Sequence, residues 1–472
     1  MQLRCSTEEI RVALIAGLLW LGVAPTSRAA DLPVAYVVLG EGGAISARVI
    51  TGGDACPVVD VDGHRQAMAV RAPAQTLPQR STASPPDLSK PSAFPVTVCE
   101  ALIAPGARRA SVLGRRLPLP PARVDRILVI GDTGCRLKGR TVSDGAFQAC
   151  NDAEAYPFAT VAARGAAWKP DIVVHVGDYQ YRENPCPGWV DGCERSPWGY
   201  GWDAWNADFF APAAPLLAAA PLVLARGNHE NCARAGQGWF RLLDARPLTP
   251  GHDCNDPAKD FDGDYSVPYA VPLGGGAQIV VMDLAIASDG QPLASDDLRA
   301  VQFRAGFADL KRLAAGAEST LMVTHKPVLG FAARSSGGKI TLAGGTLGIQ
   351  SAFAAEDPNL FPAGVDVLLA GHVHVWEQVS FKSAHPTQFV AGFSGTQEDI
   401  VPLPQTLPPG ASPAPGAVVE AFSSWVDGFG YMTMERAGPR RWDVRIWNLA
   451  GGVVNRCRID GRHSTCDRPQ VH

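Results

Sequence analysis

Five apolar runs constrain this chain more than any other feature: RILVIGDTG (126–134), PDIVVHVGD (170–178), PLVLARGNHE (221–230), STLMVTHKP (319–327) and VDVLLAGHVH (365–374). Each is continuous rather than alternating, as strands are when both faces of their sheet are covered, and each breaks off at Gly, Asp, Asn or His. Helical patterns lie between them. WDAWNADFFAPAAPLL carries Trp202, Trp205 and Phe209 at helical spacing, and DDLRAVQFRAGFADLKRLAA puts Leu298, Val301, Phe303, Phe307 and Leu310 near one face. Buried strands alternating with helices read as an α/β fold, and in such sheets ligands gather at the carboxyl ends of the strands.

The flanking regions read differently. From Asp31 to about Leu119, short β-favouring runs such as AISARVI, CPVVDVD and FPVTVCEALI alternate with turn-rich segments, which reads as a small β-sandwich over 30–122. QRSTASPPDLSKPSAF is a loop inside it, and LPLPPAR is the better linker to a second domain, 123–472. Near the C-terminus, GYMTMER and RWDVRIWNLAGGVVNRCRID alternate and turn at Gly451 and Gly452, as an antiparallel hairpin does. VPLPQTLPPGASPAPGA (401–417) reads as an inserted Pro-rich loop, either an active-site lid or a solvated surface loop.

Residues 1–29 combine positive charges, an uncharged stretch from Val12 to Ser27 and small residues around Ala29, the pattern of a signal peptide. Export to the periplasm or the exterior follows. The rival is an uncleaved anchor, for which the stretch is short against a span of about 20 residues. Eleven cysteines become ten once Cys5 is removed with that segment, an even number that suits disulfides in an oxidising compartment. Sequence proximity pairs Cys56 with Cys99, Cys135 with Cys150, Cys186 with Cys193, Cys232 with Cys254, and Cys457 with Cys466. Lys plus Arg number 42 against 46 Asp plus Glu, with no long basic run, so neither a nucleic-acid groove nor a membrane footprint is indicated and small partners are expected.

The chemistry sits at the five strand ends, which deliver Asp132, Asp178 with Tyr181, Asn228 with His229, His325, and His372 with His374. Singly each has an ordinary explanation: an aspartate caps a helix, a lone histidine is a hydrogen-bonded core residue, GNH is a turn. Five in succession are metal donors in the proportion that two neighbouring cations need, with Asp178 at the central strand suited to bridging. The histidines of GHVH, at i and i+2, would face opposite ways in a regular strand, so a turn at Gly371 is needed to bring both to the site. Tyr181 belongs to the same set. A phenol with an ordinary pKa near 10 stays protonated at neutral pH unless a strong Lewis acid replaces its proton, as a hard trivalent cation such as Fe(III) does.

The blocks GDTG, GDYQY, GNHE, VTHKP and GHVH, in this order from about Ile127 to Glu377, resemble those of the calcineurin-like metallophosphoesterases, and in particular the purple acid phosphatase branch. Its mark is a GDxxY block with a first block lacking the histidine of other branches; here Gly134 stands at that histidine's place. The resemblance implies a four-layer αββα sandwich preceded by a β-sandwich accessory domain. It implies Fe(III) held by Asp132, Asp178, Tyr181 and His374, and a divalent partner (Zn, Mn or Fe) held by Asp178, Asn228, His325 and His372. It also implies hydrolysis of small phosphorylated substrates, with His229 protonating the leaving alkoxide or orienting the phosphate. Animal-type members carry a further histidine nine residues after the VTHKP histidine; here it is Arg334, either a charged fork for substrate oxygens or a solvated loop residue.

Three functions stay open on the sequence: a phosphomonoesterase; a phosphodiesterase, nucleotidase or pyrophosphatase on the same scaffold; and a secreted binding protein with a structural metal centre. Other polar residues carry less. His175 lies inside a buried run and reads as core; His64, His252, His385 and His463 read as loop residues. Asp283, ending IVVMD, is a candidate second partner for a ligand. The Trp-rich segment from Arg182 to Tyr200 either shapes a pocket or packs under a long loop.

Overall fold

The computed structural model describes residues 32–139, 146–336, 339–397, 403 and 407–468, and within these not the side chains of 334–336. The signal-peptide segment 1–29 lies outside the described residues. Arg334 is placed by its backbone alone, in strand Phe331–Ser336 opposite Thr341; its side chain lies outside what is described.

Two sheets face one another. In the first, the parallel centre is Arg126–Ile130, Ile172–His175 and Leu222–Leu224, with Ile127 opposite Ile172 and Val174 opposite Val223. In the second it is Ala277–Val281, Ser319–Val323 and Val365–Ala370, with Ile279 opposite Leu321 and Met322 opposite Leu368. Strand periodicity sorts the side chains into layers. Ile127 and Val129 join Ile279, Val281, Leu321 and Val367 in the apolar layer between the sheets. Leu128 and Ile130 face outward with Val161, Phe209 and Leu216 of the helical segments on that side. Val280 and Met282 face the other way, onto Phe303, Phe307 and Phe353. Helix, sheet, sheet, helix is the resulting order, an αββα sandwich.

The β-rich N-terminal region is built onto the first sheet. Strand Val34–Leu39 lies beside Leu222–Leu224, Val38 opposite Leu222 in parallel, and Ile45–Thr51, Thr97–Ile103 and Ala69–Ala72 extend the sheet outward. A four-stranded sheet of Arg115–Leu117, Ala110–Val112, Val58–Val61 and His64–Ala67 packs on the inner face of that extension, where Val59, Val112 and Leu117 meet Val37, Val49 and Cys99. Side chains fasten it further. Tyr36 Oη donates to Leu242 O at 2.6 Å, and Arg48 donates to Leu242 O and Asp244 O at 3.0 and 2.6 Å. Hydrogen bonds therefore cross the boundary at 122 and 123, from the N-terminal strands to the segment 222–244.

Two expectations are corrected by packing. Helix Leu298–Ala314 buries Ala300, Phe303, Phe307, Leu310 and Ala314, whereas Leu298 and Val301 are 63 % and 46 % exposed. The stripe advances by three, four, three and four, which turns those two residues off the contact face. The described part of the 401–417 loop is not simply solvated: Leu403, Ala414 and Ala417 are buried in the apolar cluster beneath the second sheet. The C-terminal strands Gly430–Gly438, Arg441–Asn448 and Val453–Asp460 run antiparallel beside Arg126–Ile130, turning at Gly451 and Gly452. All five cysteine pairs proposed from proximity are disulfides. Among the described residues no helix is long and apolar enough to cross a membrane.

Candidate metal centre

The chain leaves its strands abruptly at the site. Asp132, Asp178 and His372 adopt positive φ of 54°, 58° and 72°, a left-handed conformation costly to residues with a Cβ and sustained by the surroundings. At Asp178 the neighbour makes room: a Cβ on Gly227 would lie 2.0 Å from Asp178 Oδ1, so only glycine permits the approach.

These turns bring the predicted donors together in two groups that share one carboxylate. In the first, the buried Tyr181 Oη lies 2.9 Å from Asp132 Oδ1, 2.8 Å from Asp178 Oδ2 and 3.0 Å from His374 Nε2. In the second, His325 Nε2 lies 3.1 Å from both Asp178 Oδ2 and Asn228 Oδ1. Asp178 Oδ2 thus touches both groups. His372 stands at the edge: one ligand atom each from Asp178, His325 and His372 lies within 4.8 Å of the others. Its Nε2 is 3.3 Å from Asp289 Oδ1 and its backbone N–H donates to Asp132 Oδ2 at 3.0 Å. The turn that GHVH requires is present, and both histidines reach the site.

The donor set suits cations. His325 Nδ1 lies 2.9 Å from Val176 O and His374 Nδ1 lies 2.8 Å from Gln397 O. Carbonyls accept only, so each Nδ1 carries the proton and each Nε2 is left with a lone pair pointing at oxygens. Lone pair against carboxylate is repulsive unless a proton or a metal lies between them; without a metal, Asp178 holds the proton on His325 and lifts its pKa to about 9 against the opposing effect of burial. Burial first, then the carboxylates of Asp132 and Asp178, push the Tyr181 phenol well above its ordinary value. Only a cation at this point would make a phenolate of it.

Gly134 leaves no room for a side chain beside Tyr181. A Cβ at that position would lie 2.7 Å from Tyr179 O and 2.8 Å from Tyr181 N, so no larger side chain fits between the two loops. Two buried acids that the sequence reading did not single out hold the Asp178 loop. Glu230 accepts N–H bonds from Asp178, Tyr179, Gln180 and Gly227 at 3.1, 2.8, 3.1 and 3.1 Å. Asp208 accepts from Tyr181 N at 2.7 Å, Arg182 N at 3.1 Å, Cys135 N at 3.0 Å and Arg182 Nε at 2.6 Å. Glu230 was within sight, as the last letter of GNHE. Asp208 gave a fainter signal, an acid among the aromatics of WDAWNADFF.

His229 adjoins the shared carboxylate, its Nε2 3.9 Å from Asp178 Oδ2. Its Nδ1 contacts Glu183 Oε1 at 2.7 Å, and Arg234 reaches both Glu183 and His229 Nε2, the latter at 2.9 Å. Burial, then the Arg234 charge, lowers its pKa to about 3, so the ring is neutral. Glu183 and Arg234 were likewise not anticipated.

Other expectations sort themselves. His175 is core, 2.9 Å from Thr133 Oγ1 and stacked on Tyr179. Asp283 is turned to Arg226, from which its carboxylate accepts at 2.5 Å. His385 is buried against Ser383 rather than lying in an open loop. The segment from Arg182 to Tyr200 packs only in part: Cys193 and Tyr200 belong to the outer apolar cluster of the first sheet, whereas Trp189 is exposed.

No curated protein matches the chain in sequence. Among solved structures it is similar to a purple acid phosphatase from yellow lupin (Lupinus luteus) seeds, at 16% identity and TM-score 0.48, covering 93% of this chain and 75% of that one. It is also similar to PhoD, at 13% identity and TM-score 0.49, covering 92% and 91%. The calcineurin-like phosphoesterase family model matches residues 125–376, more than half of the sequence and all five strand ends. The chain belongs to the calcineurin-like phosphoesterase family.

Proposed function

We propose that this protein is an exported phosphomonoesterase of the purple acid type, with Fe(III) held by Asp132, Asp178, Tyr181 and His374. A divalent cation, Zn, Fe or Mn, would be held by Asp178, Asn228, His325 and His372. Family membership implies a dinuclear metal centre; the observation that carries the finer reading is the Tyr181 phenol oxygen, 2.8–3.0 Å from two carboxylates and an imidazole lone pair. Bound there, two cations supply Lewis acidity, lowering the pKa of a water and neutralising charge on the phosphoryl oxygens.

The chain's own residues do the rest. Asp178 ties the two groups of donors together through one oxygen. Glu230 and Asp208 fix the loop that carries Asp178 and Tyr181, so that little reorganisation is left for the reaction. A neutral His229 whose Nδ1 is engaged by Glu183 has no spare proton for a leaving alkoxide. With one nitrogen against Glu183 and the other accepting from Arg234, it serves better in positioning Arg234, whose guanidinium would supply the donor and the positive charge for a phosphoryl oxygen. Five disulfides fit an oxidising compartment, which supports export.

The test is a rate comparison on p-nitrophenyl phosphate and bis(p-nitrophenyl) phosphate with the metal-loaded protein. The monoester is expected to turn over at least about tenfold faster, because the diester lacks one of the charged oxygens that the cations neutralise. Faster diester cleavage would move the assignment to a phosphodiesterase on the same scaffold.

A further inference from the structure

The chain that follows Asp132 runs beside the chain that follows Asp178. Leu137 N–H donates to Tyr181 O and Glu183 N–H donates to Leu137 O, both at 3.0 Å, so Leu137 is paired in parallel with Arg182. Alternation then sorts the side chains. Leu137 turns into the outer apolar cluster and Arg182 onto the buried Asp208. Their neighbours face the other way. Tyr181 points to the metal donors and Glu183 to His229 and Arg234, and the same alternation puts Arg136 and Lys138 on that side.

The charges on this flank do not balance. Arg234 is paired with Glu183. Arg136 and Lys138 are half-buried, and among the described residues neither side chain has an ion pair or a hydrogen bond; Arg136 Nε is buried without a partner. Burial, then the Arg234 charge, lowers the Lys138 pKa, and the Arg136 charge acts on the Tyr181 phenol, so both cations stand within electrostatic reach of the site. A bound anion would oppose the shift at Lys138 and hold its proton in place. On the opposite flank, beside His372, Lys326 is matched by Asp289 at 2.9 Å.

We infer that Arg136 and Lys138 form a subsite for a second phosphate on the same small molecule, so that the preferred substrate is a bisphosphorylated compound whose second group lies on the Tyr181 and Glu183 side. The inference rests on the phosphoesterase reading above, which supplies the position of the phosphate under attack. Two unpaired cations match the charge of a phosphate dianion, and a guanidinium fork with an ammonium can donate to several of its oxygens. A carboxylate carries half that charge.

Two measurements on the metal-loaded full chain test it. In the first, kcat/KM is compared for propane-1,3-diyl bisphosphate, 4-(phosphonooxy)butanoate and propyl phosphate, in the wild type, Lys138→Met, Arg136→Met and the charge-keeping Lys138→Arg. The bisphosphate is expected to be preferred over propyl phosphate by about tenfold or more, and over the carboxylate by about threefold. Either methionine variant should remove most of that preference, and Lys138→Arg should keep it. In the second, calorimetry compares propane-1,3-diphosphonate with propylphosphonate, neither of which has an ester bond to hydrolyse; about tenfold tighter binding of the diphosphonate is expected, again lost in the methionine variants. Hydrolysis without the preference, or a preference that survives both methionine substitutions, overturns the inference while leaving the phosphoesterase reading standing. An equal preference for the carboxylate overturns the assignment to phosphate. Selective diphosphonate binding without hydrolysis of any ester supports the subsite and overturns that reading instead. Equal binding of the two phosphonates, or binding of neither, overturns the subsite.

Discussion

At the scale of single residues, the site depends on groups that never need to touch a substrate. Glu230 satisfies four backbone N–H groups of two ligand-bearing loops. Glu230→Ala leaves those donors buried without acceptors, each costing about 1–3 kcal/mol. The variant is expected to lose upwards of about 3 kcal/mol of unfolding free energy and to retain less metal, as read by urea unfolding and metal analysis. Unchanged stability would mean that the loops are held by something else. Gly134 makes the opposite kind of prediction. Gly134→Ala puts a methyl within 3 Å of Tyr179 O and Tyr181 N, displacing the phenol, so the metal nearest Tyr181 should be the first lost in a chelator titration.

At the scale of elements, the strand ends were legible because burial on both faces leaves a continuous apolar run, and the residue that breaks it has to be a turn-former or a functional one. Asp132, Asp178, Asn228, His325 and the GHVH pair all followed from that rule. The same rule misled at Asp283, which ends an apolar run yet faces Arg226, because a strand end supplies a place and not a partner. Helix Leu298–Ala314 shows a related limit: its first turn holds apolar residues, Leu298 and Val301, that the fold leaves uncovered. Glu230, Asp208, Glu183 and Arg234 escaped because their role is to meet loops distant in sequence, which local pattern does not encode. Cysteine spacing, in contrast, was enough to find the disulfides. Cys135–Cys150 closes the loop that follows Asp132, and Cys135 N is one of the donors to Asp208. Replacing both cysteines with serine is expected to cost about 3 kcal/mol for a loop of this length, measured by denaturant unfolding. A loss below about 1 kcal/mol would show the loop to be held by Asp208 alone.

At the scale of the whole molecule, alternation identified the N-terminal region as strands but not which strands they pair with. Val34–Leu39 lies inside the first sheet, between Leu222–Leu224 and Ile45–Thr51, rather than in a unit held apart. Residues 123–472 expressed alone would expose the unpaired edge of Leu222–Leu224, together with the apolar surface that Tyr36, Val37 and Val38 cover. That fragment is expected to aggregate in sedimentation analysis; a monodisperse, metal-binding fragment would show the N-terminal strands to be dispensable. Metal and fold are coupled at this scale too, since the two groups of donors come from strands of both sheets and ions that bind only the folded state stabilise it by mass action.

The central claim is that Tyr181 holds a trivalent iron in a pair of neighbouring metals, and it is tested most directly by metal analysis with a visible spectrum of the purified protein and of Tyr181→Phe. The account predicts iron alongside a second metal, and a tyrosinate-to-iron absorption band that disappears in the variant. A colourless protein containing zinc alone, or a band that survives the loss of the phenol, would contradict it.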